Sequence, residues 1–155
     1  MRSRVLALVV AVSMLSACAG SDTRDPADRA QAMLANLPDC SRVSLDEAGQ
    51  APPEVAGLML PEGAMVTSVL DQGALTTVEA TIRMTPLQVR AHYEERDDIE
   101  LLRVEDEIFE AEVLLRAEQR RMYLRASALC ADGTALTAVV GPDSDEAGLP
   151  EFQHG

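Results

Sequence analysis

Tryptophan and lysine are absent from this 155-residue chain, and aromatic side chains are scarce: Tyr93, Phe109, Tyr123 and Phe152 are the full set. Sugar platforms and quaternary-ammonium cages are built from aromatic faces, so both ligand classes are poorly supplied. Without lysine there is no side chain for a Schiff base or for the phosphate-cradling position of a P-loop, and neither a Walker A nor a Gly-x-Gly-x-x-Gly run occurs. Histidine is limited to His92 and His154, which leaves a His-rich transition-metal site unsupported. No Cys-x-x-Cys spacing is present, and Ser44, Ser68 and Ser127 have no Gly-x-Ser-x-Gly setting. Thiol redox work and serine nucleophile chemistry therefore lack a motif. Positive charge is short as well. Thirteen arginines face 26 acidic residues, a net charge of −13. Such a surface repels nucleic-acid phosphates, and no nucleic-acid partner is expected.

What the chain does have begins at its first residues. Arg2 and Arg4 form a positive patch ahead of the apolar run Val5 to Leu15, which is too short to span a bilayer as a stable helix. Small residues follow, as a signal peptidase requires. The run closes on Leu15-Ser16-Ala17-Cys18, and here the sequence resembles bacterial lipoproteins, whose lipobox is Leu, two small residues and Cys. The resemblance covers the first eighteen residues. It implies cleavage between Ala17 and Cys18, a diacylglyceryl thioether on Cys18 and acylation of the new amine, with palmitate among the acyl chains. Each buried methylene contributes about 0.8 kcal/mol, so one chain holds weakly and two or three hold durably. The competing possibility is an ordinary secretory signal with a chance cysteine at its cleavage site. In the same family an Asp after the lipidated Cys retains the protein in the inner membrane. Ala19 is not Asp, so the resemblance implies an outer-membrane protein facing the periplasm in a two-membrane host, and the outer face of the plasma membrane otherwise. The membrane would be reached through the acyl chains on Cys18. Without Arg2 and Arg4 the chain has 11 arginines against 26 acidic residues, net −15, and repels anionic headgroups.

Removing the signal, residues 1–17, leaves 138 residues, enough for one domain with a modest core. Residues 18–24 are small and polar, suited to a tether. Residues 25–37 read as a short amphipathic helix: Asp25 offers an N-cap, Pro26 takes the first helical position, and Ala30, Met33, Leu34 and Leu37 recur at helical spacing before Pro38 stops the run. Its apolar face packs on the domain or docks a partner. Residues 38–62 carry Gly49, Pro52, Pro53, Gly57 and Pro61 and read as an extended, Pro/Gly-rich segment. Once Cys18 is lipidated, Cys40 and Cys130 remain. In an oxidising compartment such a pair becomes a disulfide; two buried reduced thiols are the alternative. Closing a loop of this size would stabilise by about 4–5 kcal/mol in the chain-entropy account.

Residues 63–141 read as the ordered domain. Met65 to Leu70 is a strand, Asp71-Gln72-Gly73 a turn, and Leu75 to Met84 a second strand with Val78, Ala80, Ile82 and Met84 on one face. Thr85-Pro86-Leu87-Gln88 is a capping box with Pro at the first helical position, and Met84 and Val89 form a hydrophobic staple. The spacing predicts a helix from Pro86 to Arg96. From Ile99 to Cys130 two signals conflict, because composition favours helix and the pattern favours strand. The two-residue period is the more complete, and it predicts strands at Ile99 to Glu105, Ile108 to Arg116 and Arg121 to Cys130. Asp132-Gly133 then signals a hairpin into a last strand, Thr134 to Val140. On that register Glu110 and Glu112 would face Arg121 and Arg125. Residues 142–155 form an acidic tail expected to lack order. The fold class is α+β: a small antiparallel sheet of about six strands with one packed helix, preceded by the short N-terminal helix. This order resembles small extracytoplasmic α+β domains of bacterial lipoproteins, in which a Pro-x-Gly approach, here Pro61-Glu62-Gly63, and a helix ending near a Tyr, here Tyr93, precede a strand meander. That resemblance implies no activity.

Chemistry-bearing residues are few. His92, beside Glu95 and Arg96, is the one candidate general base within the domain, and a solvated helix-face role competes with it. Carboxylates crowd residues 94–100, 105–107 and 143–146 without the loop grammar of an EF-hand. No catalytic residue, metal ligand or cofactor is assigned. The expectation is a lipid-anchored, non-enzymatic module that binds or scaffolds an envelope protein. The alternatives are a small cofactor-free hydrolase using His92 with nearby carboxylates, or a weak calcium-binding surface module.

Overall fold

The computed structural model describes residues 26–43, 45 and 50–153. It contains helix α1 (Pro26–Leu34), a 3₁₀ turn (Cys40–Arg42), strands β1 (Met65–Asp71) and β2 (Thr76–Ile82), and helix α2 (Pro86–Glu94). Strands β3 (Glu100–Asp106), β4 (Glu110–Ala117), β5 (Arg120–Cys130) and β6 (Gly133–Pro142) follow. The six strands form one antiparallel sheet in the order β1-β2-β6-β5-β4-β3. The fold is an α+β arrangement of one sheet and two helices. Among the described residues no helix is long and apolar enough to cross a membrane.

The order explains α2. Strand β2 lies next to one edge and β3 is the opposite edge, so the chain between them must cross a face of the sheet. The capping box starts the crossing: the Thr85 hydroxyl accepts the Gln88 amide at 3.3 Å, and the Gln88 side chain accepts the Thr85 amide at 2.8 Å. Val89 and Tyr93, one turn apart, are then fully buried against the sheet. The Tyr93 hydroxyl donates to the Met59 carbonyl at 2.6 Å, which ties the 50–63 segment to the helix end. Burial pushes the Tyr93 hydroxyl pKa upward.

The segment with conflicting signals is β-sheet. Ala111, Val113 and Leu115 of β4 and Met122, Leu124 and Ala126 of β5 line the α2 face with Val78, Ala80 and Ile82 of β2 and Leu136, Ala138 and Val140 of β6. Burial at period two outweighs the helical propensity of Glu, Leu and Arg. The β4–β5 connection is a two-residue turn at Glu118 and Gln119, both with positive φ (49° and 59°) and neither a glycine. A hydrogen bond from the Gly57 amide to the Glu118 carboxylate, 3.0 Å, holds it. Gly57 itself has φ 81°, and a Cβ there would meet the Arg120 Cβ at 2.5 Å.

Two expectations are corrected. Cys130 pairs with Gly133, so the β5–β6 turn residues are Ala131 and Asp132 rather than Asp132-Gly133. Gly133 is a strand residue needed for proximity: a Cβ would lie 2.6 Å from the Cys130 sulfur and 2.9 Å from the Cys40 sulfur. The tail is the second correction. Residues 143–153 lie over the sheet face opposite α2, where Phe152 is buried with Tyr123 and Val139 and packs with Leu75, Leu114 and Leu149. Leu149 and Phe152, with the charge complementarity between the tail and arginines of the sheet, supply the ordering that a reading by composition missed.

Cys40 and Cys130 form a disulfide, Cα atoms 5.1 Å apart and both residues buried with Leu45. Replacing both cysteines by serine should lower the unfolding free energy by about 4–5 kcal/mol, read as a shifted midpoint in a urea titration. Gly133→Ala should cost about 1–3 kcal/mol through overpacking against the same sulfurs.

Candidate functional site

The face opposite α2 is organised in three rows set by the strand register. The first runs Glu100, Arg116, Arg121 and Gly141 across β3, β4, β5 and β6. The second runs Arg103, Leu114, Tyr123, Val139 and Thr77. The third runs Glu105, Glu112, Arg125, Thr137 and Glu79. Two of these rows place like charges directly opposite each other, Arg116 with Arg121 and Glu105 with Glu112, which is unfavourable in a bare sheet.

The tail meets all three rows. Asp143 bridges the arginine pair, 2.8 Å from Nε of Arg116 and 2.8 Å from Nε of Arg121, and Asp145 lies 2.5 Å from the Arg121 guanidinium. Glu100 supplies a further carboxylate to Arg116 at 2.5 Å. Arg116, and then Arg121, hold the Asp143 carboxyl below its ordinary value of 3.8. In the middle row the Phe152 ring sits edge-to-face on Tyr123 at 5.8 Å between centroids, and the Arg103 guanidinium stacks on Phe152 at 4.3 Å. In the third row Glu112 is only 3% exposed. Its carboxylate accepts the Tyr123 hydroxyl and the backbone amide of Gln153, the latter at 3.0 Å. Burial, and then the neighbouring Glu112, raise the Tyr123 hydroxyl pKa. The expected facing of Glu110 and Glu112 with Arg121 and Arg125 is therefore realised only in part. Arg125 reaches Glu110 at 2.6 Å, while Arg121 turns to the tail and Glu112 to Tyr123.

Two cavities flank this arrangement. One, of 310 Å³, is lined by Glu105, Asp106, Glu107, Glu110, Glu112 and Gln153 beside the β3–β4 turn. Four of its five carboxylates are engaged by the chain itself: Glu105 by Arg103, Asp106 by Arg90, Glu110 by Arg125 and Ser127, and Glu112 as above. It is acidic, yet most of its carboxylates already have a donor. The other, of 380 Å³, lies beneath the tail between Arg103, Leu114, Arg121 and the Leu149–Phe152 stretch.

His92 is half-buried on α2, and its Nε2 has no hydrogen-bond partner. Burial, and then Arg96, lower its pKa. It lines neither cavity, and no carboxylate is bonded to that nitrogen to orient it as a base. The metal-ligand cluster found among the described residues is Cys40, Cys130 and Asp132, and its two sulfurs are spent in the disulfide. Ala17, Cys18 and His154 lie outside the described residues. The residues that sequence reasoning missed are Glu112, Tyr123 and Phe152. The available signal was Phe152 itself, one of four aromatics, standing three positions after Leu149 in an otherwise polar tail.

No protein-family model, curated protein or solved structure matches the chain.

Tyr123→Phe removes a donor from a buried carboxylate and should cost about 1.5–3 kcal/mol, with most of the loss recovered in a Tyr123→Phe/Glu112→Gln double variant. Denaturant titrations of the three variants measure this. Because the Asp143 pKa is lowered in the fold, its contribution is present above 3.8 and fades as pH falls through the lowered folded value. An NMR acid titration should show the tail amides shifting below about pH 4, and Asp143→Asn should flatten that response.

Proposed function

We propose that the chain is a lipid-anchored extracytoplasmic lipoprotein of the cell envelope, carrying a non-enzymatic domain that binds or scaffolds another envelope protein. The observation that carries this reading is Leu15-Ser16-Ala17-Cys18 behind Arg2, Arg4 and a short apolar run. Cys18 becomes the acylated first residue, and residues 18–24 link it to the short N-terminal helix that begins at Pro26. With Ala19 after the lipidated cysteine, the destination is the periplasmic side of the outer membrane in a two-membrane host. In a one-membrane host it is the outer face of the plasma membrane. The buried Cys40–Cys130 disulfide suits an oxidising compartment. The acidic surface leaves membrane attachment to the acyl chains. A binding role is supported by the site chemistry: charged rows, an aromatic contact and a cavity.

Radiolabelled palmitate should enter the wild-type protein and bring it to the membrane fraction. Cys18→Ser should abolish the label and release the protein to the soluble fraction. Label and fractionation unchanged by that substitution would overturn the anchoring.

A further inference from the structure

Residues 143–153 occupy the outer sheet face without joining its hydrogen-bond ladder. Among the described residues their backbone contact with the sheet is the Gln153 amide on Glu112, and their other backbone hydrogen bonds, Ser144 to Pro142, Ala147 to Ser144 and Glu146 to the Ser144 hydroxyl, are local. Three contacts hold them: the Asp143 and Asp145 side chains on the arginine row, Leu149 and Phe152 on the aromatic row, and the Gln153 backbone amide on the carboxylate row. Segments held in this way open locally at lower cost than strands. The face beneath has a chemistry of its own. It sets Arg116 beside Arg121, pairs Arg103 and Arg125 with Glu105 and Glu110 of the sheet, keeps a 380 Å³ cavity under the tail, and opposes like charges that an occupant must relieve.

We infer that the tail is an exchangeable strap, a ligand held in cis on a groove that receives an extended acidic peptide segment of a partner protein. The inference rests on reading the domain as a binding module and names the surface and the class of ligand. A fitting segment carries a carboxylate for the Arg116–Arg121 pair. An aromatic ring follows some nine residues later, as Phe152 follows Asp143, to sit between Tyr123 and Arg103, and a backbone amide after it reaches Glu112. Charge complementarity selects a carboxylate at the Arg116–Arg121 pair, since a basic side chain there would meet two guanidinium groups side by side. The strap suppresses association by competing at high effective concentration, so the incoming segment gains access as the strap opens.

The test uses the complete mature chain with Cys18→Ser and a fluorescent peptide covering residues 143–153. The peptide should bind the Phe152→Ala chain about tenfold or more tighter than the wild-type chain, because the cis competitor is weakened. A peptide with Ala at the Phe position should not bind. Hydrogen exchange of the unsubstituted tail should be roughly 100-fold faster at Ser144 to Gln153 than in β5 and β6, the mark of local release. Where Phe152→Ala does not fold, an Asp143→Asn/Asp145→Asn chain, with its apolar contacts intact, should show the same gain in peptide affinity. No binding to a folded, disulfide-closed variant would overturn the proposal, as would tail exchange only through global unfolding. Tail exchange between two copies, seen as a dimer in sedimentation, would replace the foreign segment by a second copy and equally overturn it. Recovery of an envelope partner crosslinked elsewhere on the domain would then leave the binding-module reading standing and the strap rejected.

Discussion

Strands β4, β5 and β6 lie inside the sheet, so each has two faces to remove from water, and a single helix, α2, packs on one of them. That requirement for cover on both sides shapes the rest of the described chain. On the α2 side the answer is conventional, with Val89 and Tyr93 driven into an aliphatic surface. On the far side the answer comes from the end of the sequence. The aromatic that covers Tyr123 there is a phenylalanine ten positions past the last strand, and the second donor to the buried Glu112 is a backbone amide next to it. Each buried Å² of apolar surface contributes about 25 cal/mol, so the modest apolar cluster on this face depends on the few groups the tail can bring.

Arginine monopoly among the basic residues fits this design. The guanidinium fork spans two partners at once: Arg116 reaches Glu100 and Asp143, and Arg121 reaches Asp143 and Asp145. An ammonium group at either place would act as a point charge, and the bridging of an arginine pair by one carboxylate would lose its geometry. Individually such exposed pairs contribute little. Their effect here is to decide where the tail lies and to neutralise charges that the strand register sets against each other.

Much of the sheet was legible in the sequence because alternation is a local signal. Val78, Ala80 and Ile82 declare one face of β2, and Thr85 with Gln88 declares the start of α2 without reference to anything distant. The strand choice for residues 99–130 succeeded because Ala111, Val113 and Leu115 keep period two where a helical stripe would meet Glu118 and Gln119. What stayed hidden depends on contacts far apart in sequence. Positive φ at Glu118 and Gln119 is stabilised by Gly57, 61 positions earlier, so no local turn preference reveals it. Glu112 is an ordinary outward-facing strand residue by pattern, and it is buried only because Tyr123 and Gln153 cover it. The tail was misjudged for the same reason, since composition counts its acids but not the arginines awaiting them.

The bond between Cys40 and Cys130 also governs how the molecule bears mechanical tension. The sulfurs join residues 90 apart, so α2 and strands β1 to β4, with most of β5, fall within one covalent loop. A pull applied through the N-terminal side arrives at Cys40 and passes directly to the end of β5, bypassing that loop. Contour length is therefore released only from residues before Cys40 and after Cys130, and β6, hydrogen-bonded between β2 and β5, resists the pull. A domain wired in this way can be tugged at one end while the chain between its two sulfurs keeps its contour length.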